Sequence, residues 1–216
     1  MRSINLGRSK PAEWADLGAT SIEKRAVHGP IAVTHLGLAG DTVTDTRHHG
    51  GPDQAVYAFA REDLDIWGER LGRDLRDGQF AENLTTEGID VNASLIGEVW
   101  RIGTTEVQVA SVRTPCNDFK NWMDATGHDA KAWVKKFTAE SRPGPYLRVL
   151  VEGEIRAGDE ITVVSRPDHT ITVTDLFIAL TLDRTRLPDL ITGSGEPVAG
   201  LGVGPAAKAR RYVDKR

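Results

Sequence analysis

The sequence predicts a mainly β fold with a few helices and a small helical extension at its C-terminal end. Of the 216 residues, 22 are glycine, and many fall in short clusters between segments rich in valine and isoleucine. This pattern is typical of short strands joined by tight turns. Hydrophobic residues form 39% of the chain, enough for one large domain or for one domain with a small appendage.

Charge and composition argue against several classes of protein. The net charge of −4 and the isoelectric point near 5.9 leave no overall basic field, so no nucleic-acid partner is expected. No apolar run approaches the length of a membrane span, and residues 1–10 lack the apolar core of a secretory signal. One cysteine excludes an intramolecular disulfide framework. We therefore expect a cytoplasmic protein with no membrane contact.

The first part of the chain predicts strands around one helix and one long loop. Leu64, Trp67 and Leu71 recur at helical spacing and predict a helix over residues 61–71. Residues 41–53 are predicted to be a polar loop, because their centre (RHHGGPD) is too rich in glycine and proline for a helix or a central strand. Short apolar segments predict strands over residues 3–6, 21–24, 31–36 and 54–59.

The next part predicts a second loop, more strands and a second helix. Residues 77–88 are polar and rich enough in glycine to predict a loop. Trp133 and Phe137 lie four apart on one face of a helix predicted over residues 129–139. Strands are predicted over residues 98–102 and 105–112, joined at Gly103, and over residues 146–151 and 160–164.

The best candidate for a domain boundary is Arg166-Pro167-Asp168. It separates a main domain, residues 1–165, from a tail, residues 168–216, that carries three predicted helices over residues 174–182, 187–191 and 206–213. Some fifty residues are few for an independent core. We therefore expect the tail to dock on the main domain or on a second subunit, which would make a homodimer.

Cys116 is the leading candidate for chemistry. It follows the strand predicted to end at Val112, and Pro115 fixes the backbone just before the thiol. Arg113, three positions upstream, favours the thiolate, the form that attacks electrophiles and binds metals. A single cysteine is more often a small buried hydrophobic residue. A functional role for Cys116 therefore depends on evidence from the rest of the chain.

The loop at residues 41–53 offers candidates with two interpretations. Asp41, Asp45, His48 and His49 are residue types that bind divalent metals, but their spacing matches no diagnostic ligand motif. A polar loop with carboxylates capping its turns explains them equally well. Gly50 and Gly51 permit positive φ angles and a close approach of backbone amides to a ligand, or they form an ordinary turn.

Cations and amides outside this loop are further candidates for binding a ligand. Residues 82–86 (ENLTT) carry groups that hydrogen-bond a polar ligand or cap a turn. Arginine forks match phosphate oxygens, although most such residues are solvated surface charge. One thiolate, glycine loops and scattered cations favour an anionic, polar cofactor over a catalytic triad. The candidate cations are Lys24, Arg47, Arg113, Arg142 and Arg148.

Six segments form an ordered series that is more specific than any one of them. They are residues 24–30 (KRAVHGP), 37–41 (GLAGD), 49–57 (HGGPDQAVY), 82–88 (ENLTTEG), 113–116 (RTPC), and 146–150 (YLRVL) continuing to Gly158-Asp159. In order and spacing they resemble the MOSC domain, the C-terminal domain of molybdenum cofactor sulfurases and of stand-alone relatives. The resemblance covers residues 1–165 nearly end to end. The tail resembles the three-helix extension of bacterial YiiM-like members of that family.

The resemblance implies a β-rich barrel that binds the molybdenum cofactor (Mo-molybdopterin), with Cys116 as the protein ligand to molybdenum. It implies reduction of small N-hydroxylated compounds to amines or amides. Two soft ligands, the thiolate and the pterin dithiolene, would hold the metal. The chain has no cysteine cluster for iron and sulfur and no flavin-binding fingerprint. The electrons are therefore expected to come from a separate donor protein.

The resemblance also implies roles for individual residues. Lys24 matches a lysine expected near the pterin phosphate, and Arg113 and Arg148 are further candidates for that anion. Asp41, His49 with its neighbour Gly50, and Asn83 match loop positions that surround the cofactor. Asp41 or His49 is expected to relay protons beside Cys116.

Three departures from the family pattern bear on loop geometry. Ala81 replaces a common glycine, and an alanine would be strained if the backbone there needs a positive φ. Val112 replaces a frequent proline, and residues 117–119 (NDF) lack a lysine often found soon after the cysteine.

Two other functions remain open on the sequence. The chain would be a non-enzymatic carrier of the cofactor, or a sulfur carrier that uses a Cys116 persulfide and so needs an accessible thiolate. Alternatively, the barrel would be intact but bind no cofactor in its host.

Overall fold

The computed structural model describes residues 1–215, and short strands dominate its main part. The strands are β1 (Ser3–Gly7), β2 (Lys10–Pro11), β3 (Ala19–Thr20), β4 (Lys24–Val27), β5 (Ile31–Thr34), β6 (Gly37–Leu38), β7 (Val56–Ala60), β8 (Leu84–Thr86), β9 (Val99–Ile102), β10 (Thr105–Val112), β11 (Pro145–Val151), β12 (Gly153–Ile155) and β13 (Ile161–Ser165). The predicted predominance of strands is confirmed in part, because the fold is sheet-rich but also contains several helices.

Helices occupy the connections and the tail. They are α1 (Arg61–Leu71), α2 (Asn117–Ala125), α3 (Trp133–Glu140), α4 (Val173–Thr181) and α5 (Val203–Val213), with 3₁₀ helices η1 (Pro52–Gln54) and η2 (Arg184–Leu190). Helix α1 has the predicted bounds, and it ends at Gly72, whose φ of 64° gives the left-handed cap that glycine favours.

Eight strands form one sheet in the order β13-β9-β10-β11-β7-β8-β1-β4, with β13 and β4 at its edges. Neighbours are antiparallel except β7 and β8, which run parallel. A second sheet has the order β12-β5-β6, and β2 pairs with β3. Within residues 1–215 no pairing joins the two edge strands, so the predicted closed barrel is not confirmed. The fold is a sheet-rich arrangement with helices packed on it.

The structure differs from the sequence predictions at three places. Strand β4 begins at Lys24, where the predicted strand ended. The predicted loop at residues 77–88 contains β8, which is fully buried between β7 and β1. Helix α2 was not predicted, because asparagine and aspartate at its start are poor helix formers. Its apolar residues Phe119, Trp122 and Met123 nevertheless have helical spacing and are buried.

An aromatic cluster fixes α2 against the rest of the core. The Phe119 ring packs 5.2 Å from Phe80 and 5.3 Å from Trp133, between ring centroids. Trp67 of α1 and Phe137 of α3 lie 6.1 Å apart in the same cluster. Such pairs add to the area that the rings bury. Because Phe119 belongs to the first turn of α2, the cluster also fixes the start of that helix.

The tail packs on the main domain through buried apolar residues and backbone hydrogen bonds. Val173, Leu176 and Phe177 are each 0% exposed and belong to the common core. The amide of Ile96 donates to the Ile171 carbonyl at 2.9 Å, and Gly202 donates to Ala110 at 2.7 Å. The expected docking on the main domain is observed, whereas the division into two domains and the homodimer stay predictions.

No helix within residues 1–215 is both long and apolar enough to cross a membrane.

Candidate functional site

A cavity of about 760 Å³ opens between the start of α2, the loop after β6 and the ends of β4, β7 and β11. Eight candidate residues from the sequence line it together: Lys24, Asp41, Asp45, His49, Gly50, Asn83, Arg113 and Cys116. The structure thus brings residues that are distant in the sequence to one place.

Cys116 stands immediately before α2 as its N-cap residue, and its side chain makes no capping hydrogen bond there. The thiol is half-buried and lines the cavity. The partial positive charge at a helix N-terminus stabilises negative charge nearby, including a thiolate. A cysteine at this position is therefore suited to bind a metal or to act as a nucleophile.

Arg113 is the most constrained cation of the cavity. Its guanidinium lies over the rings of Tyr57 and Phe119, at 5.5 Å and 5.2 Å from the centroids. Nη1 donates to the Tyr146 hydroxyl at 3.3 Å. Nε is buried, and no acceptor within residues 1–215 takes its hydrogen. A buried donor left unpaired is costly, so the cavity holds a cation with unused hydrogen-bonding capacity.

The charge of Arg113 is retained despite its burial. Burial alone would lower its pKa, but Tyr146, Cys116 and Tyr57 nearby outweigh that effect and raise the pKa of Arg113 above its ordinary value. The contribution of Cys116 shows that the thiol lies within electrostatic reach of the guanidinium.

Lys24 and Asp41 form a nearly buried ion pair at the cavity wall. Nζ of Lys24 donates to both carboxylate oxygens of Asp41 at 2.6 Å. The amide of Gly7 donates to Oδ1 at 2.6 Å, and Nδ2 of Asn83 donates to Oδ2 at 2.8 Å. Both Asp41 oxygens are thus committed to structural partners. Asp41 is therefore less suited to relay protons than the sequence analysis expected.

Burial of Lys24 has an electrostatic consequence. Desolvation lowers the pKa of Lys24, and the neighbouring charge of Arg113 acts in the same direction, while Asp41 opposes both. Lys24 and Arg113 thus share the cavity with the carboxyl groups of Asp41, Asp45 and Asp118, of which Asp41 pairs with Lys24. An anionic ligand in the cavity would be attracted by both cations.

His49 lies on the glycine loop that forms one rim of the cavity. Burial, followed by the charge of Arg113, lowers the pKa of His49 to about 4. The imidazole is therefore neutral near pH 7 and can accept a proton. Gly50 and Gly51 have φ angles of 79° and 80°, which glycine adopts without strain and other residues rarely do.

The metal-binding interpretation of the loop at residues 41–53 gains no support. Nδ1 of His48 lies 2.9 Å from Oδ2 of Asp45, and Oδ1 of Asp45 accepts from the amides of Arg47 and His48. Asp45 is therefore a turn cap of the kind that the alternative interpretation described. Across residues 1–215 no group of three or more histidine, cysteine or acidic side chains is arranged to hold a metal ion.

The backbone at Ala81 has the strained conformation that was expected if a positive φ is needed at this position. Its φ is 66°, in the left-handed region, and the residue lines the cavity. The next residue, Glu82, is 0% exposed and accepts hydrogen bonds from Gly78 N, Phe80 N and Thr85 Oγ1. Burial raises the pKa of Glu82 to about 7. This turn places the neighbouring Asn83 against Asp41.

Among the cavity residues that were not singled out from the sequence, three carry polar groups near Arg113 or Cys116. Tyr57 and Tyr146 stand beside Arg113, and Asp118 lies in the first turn of α2 beside Cys116. Both tyrosines belong to the ordered motifs, which was the available signal. Asp118 was noted only as part of a departure from the family pattern. Burial, followed by the charges of Asp16 and Asp45, raises its pKa.

Three of the five predicted cations, Arg47, Arg142 and Arg148, do not line the cavity, and Arg47 is exposed. Arg148 sits further along β11, and its Nε and Nη2 donate to Oδ1 of Asp53 at 2.8 Å and 2.6 Å. Asp53 also accepts the amide of Val203 at the start of α5. Arg142 pairs with Asp63 at 2.5 Å. Arg142 and Arg148 hold elements together, and neither lines the cavity.

Comparison with known proteins supports a relationship over most of the chain. YflK of Bacillus subtilis is 33% identical over 172 residues, which cover 79% of this chain and 76% of YflK. YiiM of Escherichia coli is 28% identical over 150 residues, covering 68% and 65% of the two chains. A protein named reductase from Gibberella moniliformis is 28% identical over 171 residues, covering 76% of this chain and only 29% of the fungal protein.

The fold has a solved counterpart. The crystal structure of YiiM from Geobacillus stearothermophilus superimposes with a TM-score of 0.77 at 24% identity, covering 98% of this chain and 97% of the other. The family model of the MOSC domain matches residues 45–162, more than half of the chain. The chain therefore belongs to the MOSC domain family, which is associated with binding of the molybdenum cofactor.

Proposed function

We propose that this protein binds the molybdenum cofactor in the cavity, with Cys116 as the protein ligand to molybdenum, and reduces small N-hydroxylated compounds. The observation that carries the proposal is the meeting of Cys116 with two largely buried cations, Lys24 and Arg113, in one cavity. Family membership and the fungal relative named reductase support it.

The residues present fit such a cofactor. Cys116 offers a soft sulfur donor, which suits molybdenum beside other sulfur ligands. The buried Nε of Arg113 lacks an acceptor within the described chain, and a cofactor phosphate is an acceptor of the right charge. Lys24 provides a second positive charge at the cavity wall. Arg148, bound to Asp53, is left out of the proposed cofactor contacts.

The bound cofactor would supply the two-electron redox chemistry that the side chains lack. The chain contributes placement and electrostatics. Arg113, held over Tyr57 and Phe119, would bind the anionic end of the ligand, and the Lys24–Asp41 pair would hold the cavity wall in place. Because α2 is anchored by its aromatic residues, the position of Cys116 is also fixed.

Reduction of an N-hydroxyl group consumes protons as well as electrons. Asp118 is the better placed carboxyl for this role, because it lines the cavity two residues from Cys116 and burial raises its pKa. Its Oδ1 accepts the amide of Asp16 at 3.1 Å, whereas both oxygens of Asp41 are committed. Because its low pKa keeps the His49 ring neutral near pH 7, His49 would relay a proton by accepting one at one ring nitrogen as it donates another from the other. We propose Asp118 as the group that holds the proton and His49 as its relay.

The test is turnover of a panel of hydroxylamines by cofactor-loaded protein, with reduced methyl viologen as electron donor. Wild-type protein should form the amine, and Cys116→Ser should not, while both show the same circular dichroism. Asp118→Asn should lower kcat more than KM. Full activity of Cys116→Ser would overturn the assignment of the ligand. Tight cofactor binding without turnover of any substrate would favour the carrier function instead.

The alternative sulfur carrier makes a different prediction from the same residue. It requires a persulfide on Cys116, detectable by mass spectrometry of the intact protein, and no dependence on hydroxylamines. The structure places the thiol half-buried inside a cavity with paired cations, which favours a cofactor ligand. The expected cytoplasmic location and the homodimer stay predictions.

A further inference from the structure

A second large groove lies on the side of the molecule that faces away from the cavity across β4 and α2. It has a volume of about 1,130 Å³ and is open to solvent. Its basic residues are Lys10, Arg25, Arg73 and Arg76, and its acidic residues are Glu23 and Asp74. The formal charge of the groove is therefore positive although the whole chain carries −4.

Two of these cations have no acidic partner of their own. Nη1 of Arg73 donates to the Gly127 carbonyl at 2.9 Å, and Nη1 of Arg76 donates to the Asp77 carbonyl at 2.9 Å. Neither guanidinium forms an ion pair with any carboxylate of residues 1–215. Nη2 of Arg76 is buried and has no hydrogen-bond partner in the same part of the chain. Of the two, Arg73 is at an exposed position, where its guanidinium is accessible to acidic groups from outside.

Lys10, Glu23 and Arg25 form one cluster of charged side chains in the groove. Glu23 is bound by Lys10 and by Arg25, whose Nε donates to it at 2.7 Å. One carboxylate thus compensates two exposed cations, and the cluster stays positive. Charges of this kind at an exposed rim steer partners of the opposite sign.

Aromatic residues form the floor of the groove. Trp14 and Trp122 lie with ring centroids 6.2 Å apart, and the guanidinium of Arg76 stands 5.8 Å from the Trp122 centroid. Nε1 of Trp122 donates to the Gln79 carbonyl at 2.8 Å, which fixes the ring. Tryptophan and arginine are among the residues most enriched at the energetic hot spots of protein interfaces.

Strand β4 and helix α2 lie between the groove and the cavity, and each contributes residues to both. On β4, Lys24 lines the cavity, and its neighbour Arg25 lines the groove. On α2, Cys116 marks the cavity end and Trp122 the groove end. At 1.5 Å per residue this separation along the helix is roughly 9 Å. A partner in the groove would thus sit within a short distance of the cofactor site.

We infer that this groove is the docking site of the separate electron donor, a small acidic protein that carries one electron at a time. The inference rests on the proposed function. Reduction of a hydroxylamine takes two electrons and two protons, breaks the N–O bond, places hydrogen on nitrogen and releases water. The reduced carrier would be oxidised in two successive encounters, which favours a polar, weakly bound interface.

The test compares two electron donors in the same hydroxylamine assay. Reduced flavodoxin is the acidic carrier used as probe, and reduced methyl viologen is a small donor that needs no docking surface. The variant is Arg25→Glu/Arg73→Glu, and Arg211→Glu, at an exposed position on α5, is the matched control. We expect the variant to lose about tenfold or more in kcat/KM for flavodoxin at low ionic strength. Its rate with methyl viologen should equal that of the wild type.

The outcomes separate this inference from the proposed function. Added salt should slow the flavodoxin reaction of the wild type and have little effect on the variant. Equal flavodoxin rates in variant and wild type, or an equal loss in Arg211→Glu, would overturn the docking site. Wild-type turnover with methyl viologen but none with flavodoxin would overturn it as well. No turnover with either donor would overturn the proposed function itself.

Discussion

Lys24 and Asp41 are joined by two hydrogen bonds of 2.6 Å at positions where their side chains are only 9% and 10% exposed. They lie 17 residues apart, Lys24 on an edge strand and Asp41 in the loop after β6. The pair therefore ties the loop at the cavity wall to the main sheet. It also makes each charge dependent on the other, because neither is well solvated.

Removing Lys24 alone should be costly. Lys24→Met leaves a nearly buried carboxylate without its cation, and we expect a loss of about 3–5 kcal/mol in the free energy of unfolding. Urea denaturation measures this loss, with Lys208→Met, at an exposed position, as the control that changes little. Lys24→Met/Asp41→Asn should recover part of the stability. Purely additive effects of the two substitutions would show that the pair is not coupled.

Glu82 should make stability depend on pH. Its pKa is about 7 in the folded protein against an ordinary 4.5, so its contribution is fully present below pH 4.5 and is lost as the pH rises through 7. The difference between these two pKa values corresponds to about 3 kcal/mol in the free energy of unfolding. Urea unfolding between pH 4.5 and 8 should show a weaker decline in Glu82→Gln, whereas Glu13→Gln, at an exposed position, keeps the wild-type slope. An unchanged slope in Glu82→Gln would contradict this assignment.

His49 should stay neutral well below the usual range of histidine. Its pKa of about 4, against an ordinary 6.5, means that its contribution to stability is present above pH 6.5 and is lost as the pH falls through 4. An NMR titration of the ring protons of His49 measures the midpoint directly, with His49→Gln identifying the resonance. A midpoint near 6.5 would show that the ring is solvated and is not shielded by the cavity.

Ala81 stores backbone strain that glycine should release. A left-handed alanine costs about 1–2 kcal/mol, and the greater freedom of glycine in the unfolded chain cancels part of the gain. Ala81→Gly should therefore raise stability by roughly 0.5–1 kcal/mol in thermal or urea unfolding. Ala110→Gly, buried in β10, should lower it. A loss of stability in Ala81→Gly would mean that the alanine methyl group contributes more by packing than the strain costs.

The sequence predicted those features that depend on local pattern. Helix α1 follows from the spacing of Leu64, Trp67 and Leu71, and the positive φ of Ala81 follows from the glycine that it replaces. The motif series also contains half of the cavity residues, because cofactor loops depend on short runs of specific residues. Cys116 was placed correctly at the end of a strand-and-turn segment.

The remaining features depend on contacts between distant residues. The parallel pairing of β7 with β8 and the Lys24–Asp41 pair leave no periodic signal in either segment. Arg148 belongs to a motif, but its partner Asp53 could be identified only from the fold. Asp118 looked like a departure from the family pattern until α2 placed it beside Cys116.

The most direct test of the central claim is the molybdenum content of purified protein, measured by elemental analysis with pterin fluorescence alongside. Wild type and Cys116→Ser would be produced in the same host, one that makes the cofactor. We predict near-stoichiometric molybdenum in the wild type and a large loss in Cys116→Ser, with both variants folded. Folded wild-type protein without molybdenum, or a Cys116→Ser variant that keeps it fully, would contradict the claim that Cys116 holds the metal.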